Sequence, residues 1–170
     1  MQRTLLLLRH AKSSWDDPQL DDFDRPLSER GRKAAPRMAA EMSARGWLPD
    51  AALVSLSMRT RQTWQLVSAA IGRDIQVSIN DAIYEAPAER ILDSIRLTRD
   101  EVSSLLVIGH NPGFETLARL LATPDSDNDA LARLNAKFPT AALARFTVEG
   151  AWSEFRKATL TDFLAPKALV

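Results

Sequence analysis

The 170-residue chain has no cysteine, only two histidines, one tyrosine and six glycines. Without cysteine there are no disulfides, no thiolate nucleophile and no Cys-ligated zinc. An excess of charge of one sign is also missing. The 22 Lys+Arg balance 22 Asp+Glu, so no global field favours nucleic acid or an anionic membrane as partner. Any anion recognition has to come from a local arginine cluster. No apolar window approaches the ~20 residues of a spanning helix. The run Leu5–Leu8 is too short for a secretory leader and is interrupted by Arg9-His10. A cytoplasmic protein is therefore expected. With 45% apolar and 26% charged residues, the composition points to a single globular domain over residues 1–170. No internal repeat or linker divides it.

What the chain does have is a set of short apolar runs, each ending in polar residues. Leu5-Leu6-Leu7-Leu8 leads into Arg9-His10, and Leu105-Leu106-Val107-Ile108 into Gly109-His110. Such runs read as strands buried on both faces that deliver a side chain to the C-terminal edge, where open α/β sheets build ligand sites. Strands are predicted over 3–8, 51–55, 75–79 and 103–108. Helical spacing predicts helices over 29–45, 58–71, 88–98 and 114–121. Ser28 caps the first, and Gly46 and Gly72 close the first two. Residues 11–26, rich in Asp and Pro, form a long polar connection of the kind that carries function or mobility. Residues 123–129 read as an acidic loop, and 142–148 with 152–158 as a hairpin across Glu149-Gly150. The order implies a three-layer α/β/α sandwich, with a mainly parallel sheet of about six strands including one antiparallel strand.

Three strand-to-helix junctions carry the chemistry. Arg9-His10 ends the first strand, Ser55 to Thr63 turns the second into its helix, and Gly109-His110-Asn111-Pro112-Gly113 follows the fourth. Together they bring two Arg, two His and helix N-terminal amides toward one sheet edge. Free N–H groups and the planar guanidinium fork both bind phosphate. On the residues alone this is a compact phosphate pocket containing imidazole.

The same residues resemble the histidine phosphatase superfamily of phosphoglycerate-mutase-like fold. Its Arg-His-Gly strand end is matched by Arg9-His10, with Ala11 in place of the glycine. Its Ser-x-x-x-Arg-x-x-x-Thr element is matched by Ser55, Arg59 and Thr63, and its Gly/Ser-His element by Gly109-His110. The wording Leu8-Arg9-His10-Ala11-Lys12-Ser13-Ser14-Trp15, Asp24-Arg25-Pro26-Leu27-Ser28-Glu29-Arg30-Gly31 and Ile83-Tyr84-Glu85-Ala86 is similar to the small SixA-type phosphohistidine phosphatases. The resemblance implies that His10 is the nucleophile of a two-step transfer through phosphohistidine. Arg9 and Arg59 would bind the phosphoryl oxygens. His110 would be a further donor, most useful when protonated. Glu85 is the implied general acid, with Asp81 as the alternative. No metal or other cofactor is implied, because the Arg/His cluster supplies the positive charge.

Other residues carry weaker readings. Lys12, Ser13 and Ser14 either contact phosphate or shape the turn. Arg61 is expected in solvent or an ion pair, Arg25 in a structural ion pair with the adjacent Asp24, and Asn111 as a helix cap. Trp15 alone of the four tryptophans is placed near the mouth of the site. The short interval from Glu85 to His110 leaves no room for a large cap insertion and implies an open site. The expected function is metal-independent hydrolysis of phosphohistidine in a protein. The alternatives are a small-molecule phosphomonoesterase with the same residues and a catalytically silent phosphate-binding module. No nucleic-acid or membrane partner is expected, and the oligomeric state is not encoded in any motif.

Overall fold

The computed structural model describes residues 1–169. Six strands form one sheet: β1 (Gln2–Arg9), β2 (Ala51–Ser55), β3 (Gln76–Asn80), β4 (Ser104–Gly109), β5 (Leu143–Glu149) and β6 (Thr159–Leu164), in the order β3-β2-β4-β1-β5-β6. β1, β2, β3 and β4 are mutually parallel, and β5 runs antiparallel to both β1 and β6. β5 is thus the one strand of opposite direction, as expected.

Five helices cover the two faces: α1 (Glu29–Ala44), α2 (Met58–Ile71), α3 (Ala88–Arg96), α4 (Gly113–Leu121) and α5 (Asn128–Ala136). The alternation of β1 assigns them. Leu6 and Leu8 point into one core with Met38 and Met42 of α1 and Val67 of α2. Leu5 and Leu7 point into the other with Ile91 of α3, Phe114 of α4 and Leu134 of α5. A strand buried on both faces has to be apolar at every position, which is why four consecutive leucines form β1. Ser28 and Ser57 cap α1 and α2 by accepting from Gly31 N and Thr60 N, and Gly72 closes α2 at φ +73°.

Two stretches differ from the sequence expectation. The acidic segment 123–129 runs directly into α5, whose N-cap Asp127 accepts from Ala130 N. The partner of β5 is 159–164 rather than 152–158. Residues 150–158 are a connection that turns at Gly150 (φ +80°). Trp152 is fully buried in it, its Nε1 donating to Val102 O at 2.8 Å, and Phe155 packs edge-on against it. Trp152, Phe155 and Ala158 anchor the connection to the core and do not mark a strand.

The polar segment after β1 is held at both ends. Ser14 N donates to Pro26 O, Ser28 N to Lys12 O, and Leu27 N to Gln62 Oε1. Gly31 in the first turn of α1 lies against this segment so closely that a Cβ there would stand 2.1 Å from Lys12 O. No larger residue fits without moving the backbone that follows the strand end.

Candidate active site

The C-terminal ends of β1, β2 and β4 open into a cleft of about 290 Å³ bordered by Arg9, His10, Arg59, His110, Asp22 and Glu85, with Trp15 and Arg25 at its mouth. The expected central residues Arg9, His10, Arg59 and His110 are therefore brought together. A larger cleft, of about 400 Å³, lies against β3 and the end of α3, and its only charged lining residue is Arg99.

His10 is 6% exposed. Its Nδ1 lies 2.7 Å from Ala11 O. A carbonyl only accepts, so Nδ1 carries the hydrogen and Nε2 presents a lone pair. Burial, with smaller contributions from His110, Arg59 and Arg9, pushes the ring down to about 3. His10 is therefore neutral.

The spacing of Ser55, Arg59 and Thr63 has a physical explanation. Thr63, one turn beyond Arg59, donates to Arg59 O at 2.8 Å and accepts from Ala11 N at 3.0 Å, which fixes the peptide after His10. Ser55 Oγ meets His110 Nε2 at 2.8 Å. Arg59 lies between the two rings, its Nε 3.4 Å from His10 Nε2 and its Nη2 3.3 Å from His110 Nδ1. One two-pronged edge of the guanidinium thus faces both imidazoles. Since Arg59 can only donate, His110 Nδ1 is an acceptor and Nε2–H donates to Ser55. Burial, and then the charge of Arg59, pushes His110 down to about 3. His110 is thus a neutral ring in the unliganded protein, which differs from the protonated donor the resemblance favoured. Arg9 Nη1 donates to Phe138 O at 2.9 Å, while its buried Nε has no hydrogen-bond partner.

The sequence reading missed Asp22. It lies in a short 3-10 turn, Asp22–Asp24, within the polar connection. Arg59 donates with its outer edge to Asp22, Nη1 to the backbone O (2.7 Å) and Nη2 to Oδ2 (3.1 Å). Tyr84 Oη donates to the same Oδ2 at 2.6 Å, and Arg25 holds Oδ1 through Nε and Nη2. Partial burial raises the Asp22 carboxyl, but the Tyr84 hydrogen bond and the Arg59 and Arg25 guanidinium groups outweigh it and hold it well below the usual carboxylate range. Burial and the bond to Asp22 push Tyr84 up to about 12. This anchoring leaves the other edge of Arg59 directed at the histidines. The cluster of Asp residues in 16–24 was the available signal, but no period or motif distinguished Asp22 from its neighbours.

Glu85 lies at the cleft, with Oε1 3.4 Å from Arg59 Nη2. Asp81 is exposed, in the 3-10 turn after β3, and does not border the cleft. Glu85 has φ +48°, an uncommon region for a side-chain-bearing residue. Arg25 makes the expected ion pair, but with Asp22 rather than Asp24. It also donates to Ser13 Oγ and stacks 3.5 Å over the exposed ring of Trp15. Arg61 turns away and donates to Leu56 O. Asn111 Oδ1 accepts from Glu115 N in the first turn of α4, as a cap should, and its amide donates to Phe138 O. Among the described residues no group of three or more His, Asp or Glu is placed to hold a metal ion. No helix among them is long and apolar enough to cross a membrane.

Comparison with known proteins agrees with this geometry. The family model of the histidine phosphatase superfamily (branch 1) matches residues 5–111, from β1 to just past β4. A candidate phosphohistidine phosphatase SixA from Agrobacterium tumefaciens is 36% identical, with a TM-score of 0.80 over 96% of this chain and 98% of its own. Its counterpart from Nakamurella multipartitia is 31% identical, with a TM-score of 0.82 over 98% and 97%. A chloroplastic protein of Arabidopsis thaliana without assigned activity is 35% identical over 131 residues, and the match spans about 60% of that relative's length. The chain belongs to the histidine phosphatase superfamily, branch 1, and is a phosphatase of SixA-like architecture.

Proposed function

We propose that the protein hydrolyses phosphohistidine in protein substrates through a covalent intermediate on His10. The observation that carries this reading is the presentation of the His10 Nε2 lone pair against the inner edge of Arg59, with its hydrogen locked on the opposite nitrogen. In the first step Nε2 attacks phosphorus in line as the bond to the leaving group breaks. In the second, water attacks the phosphorylated His10 and releases inorganic phosphate. Arg59 and Arg9 hold the phosphoryl oxygens through both steps. The unpartnered Arg9 Nε and the Nε/Nη2 edge of Arg59 are the donors available. His110 joins them by taking a proton on Nδ1 as the anionic phosphoryl group arrives, since an adjacent negative charge raises an imidazole. Glu85 stands where the leaving group departs.

The mouth favours a protein side chain over a small metabolite. It is bordered by the connection after β1 and by Glu85, with Trp15 exposed at the rim. Trapping the phosphoenzyme tests the mechanism. With phosphohistidine protein as donor, acid-labile label is expected on His10 and absent from His10→Ala. A substrate panel at matched concentrations tests the specificity. Preferential turnover of phosphosugars would move the assignment to a small-molecule phosphomonoesterase. Absence of label and of any turnover would leave a phosphate-binding module.

A further inference from the structure

A phosphorylated imidazole leaves phosphorus as a neutral ring only if its second nitrogen carries a hydrogen. Without that hydrogen the much poorer leaving group, imidazolate, has to depart. His10 meets this requirement when it is itself the leaving group in the second step. Its Nδ1–H is held by Ala11 O at 2.7 Å, so the ring departs neutral with its distal hydrogen in place. The ring of the incoming phosphohistidine needs an equivalent acceptor. In-line transfer puts that ring opposite His10, on the outer side of the phosphoryl pocket.

Two carboxylates lie there. Asp22 accepts from Arg25 twice, from Tyr84 and from Arg59, which uses the acceptor capacity of a carboxylate. Glu85 has a single long contact, 3.4 Å to the outer Nη2 of Arg59, and its side chain is 55% exposed toward the mouth. Its backbone is fixed from behind: a Cβ at Gly113 would meet Ala86 O at 2.4 Å, so the first turn of α4 lies directly against the segment that carries Glu85.

We infer that Glu85 accepts the ring N–H of the leaving imidazole, keeping that ring protonated, rather than giving a proton to the leaving atom. This rests on phosphohistidine being the substrate. The bond from His10 Nε2 to phosphorus forms as the substrate N–P bond breaks. The electron pair stays on the departing nitrogen, and the hydrogen stays on the distal nitrogen against Glu85. The product is a neutral histidine side chain, and no proton changes hands. The charge order beside Glu85 agrees, with the Arg9 and Arg59 guanidinium groups inside and the Glu85 and Asp22 carboxylates outside, while Lys12 and the Asp22-paired Arg25 line the cleft as well. A phospho-imidazolium, anionic at phosphorus and cationic at the ring, matches that order. A phosphorylated metabolite bearing a second anion opposes it.

The test is a set of kcat–pH profiles for wild type, Glu85→Gln and Glu85→Asp with three substrates: a phosphohistidine peptide, N-phospho-N′-methylimidazolium and p-nitrophenyl phosphate. In Glu85→Gln the alkaline limb for the peptide should move down by about one pH unit, the worth of one charge-assisted hydrogen bond. Peptide turnover relative to aryl phosphate should fall about tenfold, and Glu85→Asp should recover part of both. The methylated compound is a permanent cation without N–H and should show no such limb in any of the proteins. An unmoved limb in Glu85→Gln, or equal losses on the methylated compound and the peptide, overturns the inference alone. Wild type that turns over aryl phosphate but not the peptide overturns the substrate reading, and this inference with it.

Discussion

The ends of β1 and β4 lie side by side in the sheet, in register from Thr4 opposite Ser104 to Arg9 opposite Gly109, and each is followed by a buried histidine. The two rings are nevertheless held in opposite senses. His10 gives its Nδ1 hydrogen to a backbone carbonyl and turns Nε2 toward Arg59, whereas His110 gives its Nε2 hydrogen to Ser55 and turns Nδ1. The same topological position, sequence type and burial thus produce opposite tautomers, the division on which the proposed roles of nucleophile and phosphate contact rest. What separates them is the hydrogen-bond partner of the nitrogen that faces away from the cleft.

The largest expected effect tests that separation directly. His10→Ala should lower kcat by a factor on the order of 10⁴ and abolish phosphoenzyme label. His110→Gln should retain the label. If it loses label as completely as His10→Ala, the two rings are not divided in role as described. Next is Arg59→Lys, expected to cost roughly 10²–10³ in kcat, because a point charge cannot face both imidazoles while gripping Asp22. A circular-dichroism spectrum matching wild type would confirm that the loss is local.

Smaller effects sharpen the comparison. Ser55→Ala releases only the His110 hydrogen and should cost about tenfold in kcat/KM. Tungstate affinity should rise as pH falls through the range where bound His110 takes up its proton, and His110→Gln should remove that dependence. Isothermal titration at several pH values checks both. The last effect is on stability. Both rings are pushed from an ordinary 6.5 to about 3 by folding. The unfolded chain therefore binds protons below pH 6.5 that the folded one refuses until about pH 3. Stability should be fully present above pH 6.5 and fall as pH drops below it, by up to about 1.4 kcal/mol per pH unit for each ring. Urea midpoints at pH 7 and 5 should show a smaller loss in His110→Gln than in wild type.

The central residues were legible in the sequence because buried parallel strands have to be continuous apolar runs, and the residue after such a run is at the sheet edge. Ser55, Arg59 and Thr63 were legible as a motif, although their roles in holding His110 Nε2 and the Ala11 amide appear only in three dimensions. Asp22 was not legible, since what distinguishes it from Asp16, Asp17, Asp21 and Asp24 is contact with Arg59, Arg25 and Tyr84, from distant parts of the chain. The neutral state of His110 likewise depends on burial that no motif encodes. The misplaced β6 has a different cause. Trp152 and Phe155 are as apolar as strand residues, and only their packing reveals that they anchor a connection. The start of α5 was marked by Asp127, a good N-cap, but it read as one more acid in an acidic loop.

Gly113 has a bearing on any effort to retune this protein. The first turn of α4 follows His110 in the chain, and it rests without clearance on the backbone beside Glu85. The wall that carries His110 and the wall that carries Glu85 therefore meet in direct backbone contact. Widening the mouth for a bulkier substrate by altering residue 113 would act as a wedge on both walls at once. Changes of specificity are better sought at Trp15 and at residues of the acidic connection other than Asp22 and Arg25, where side chains can be exchanged without disturbing the backbone behind His110 or the anchor of Arg59.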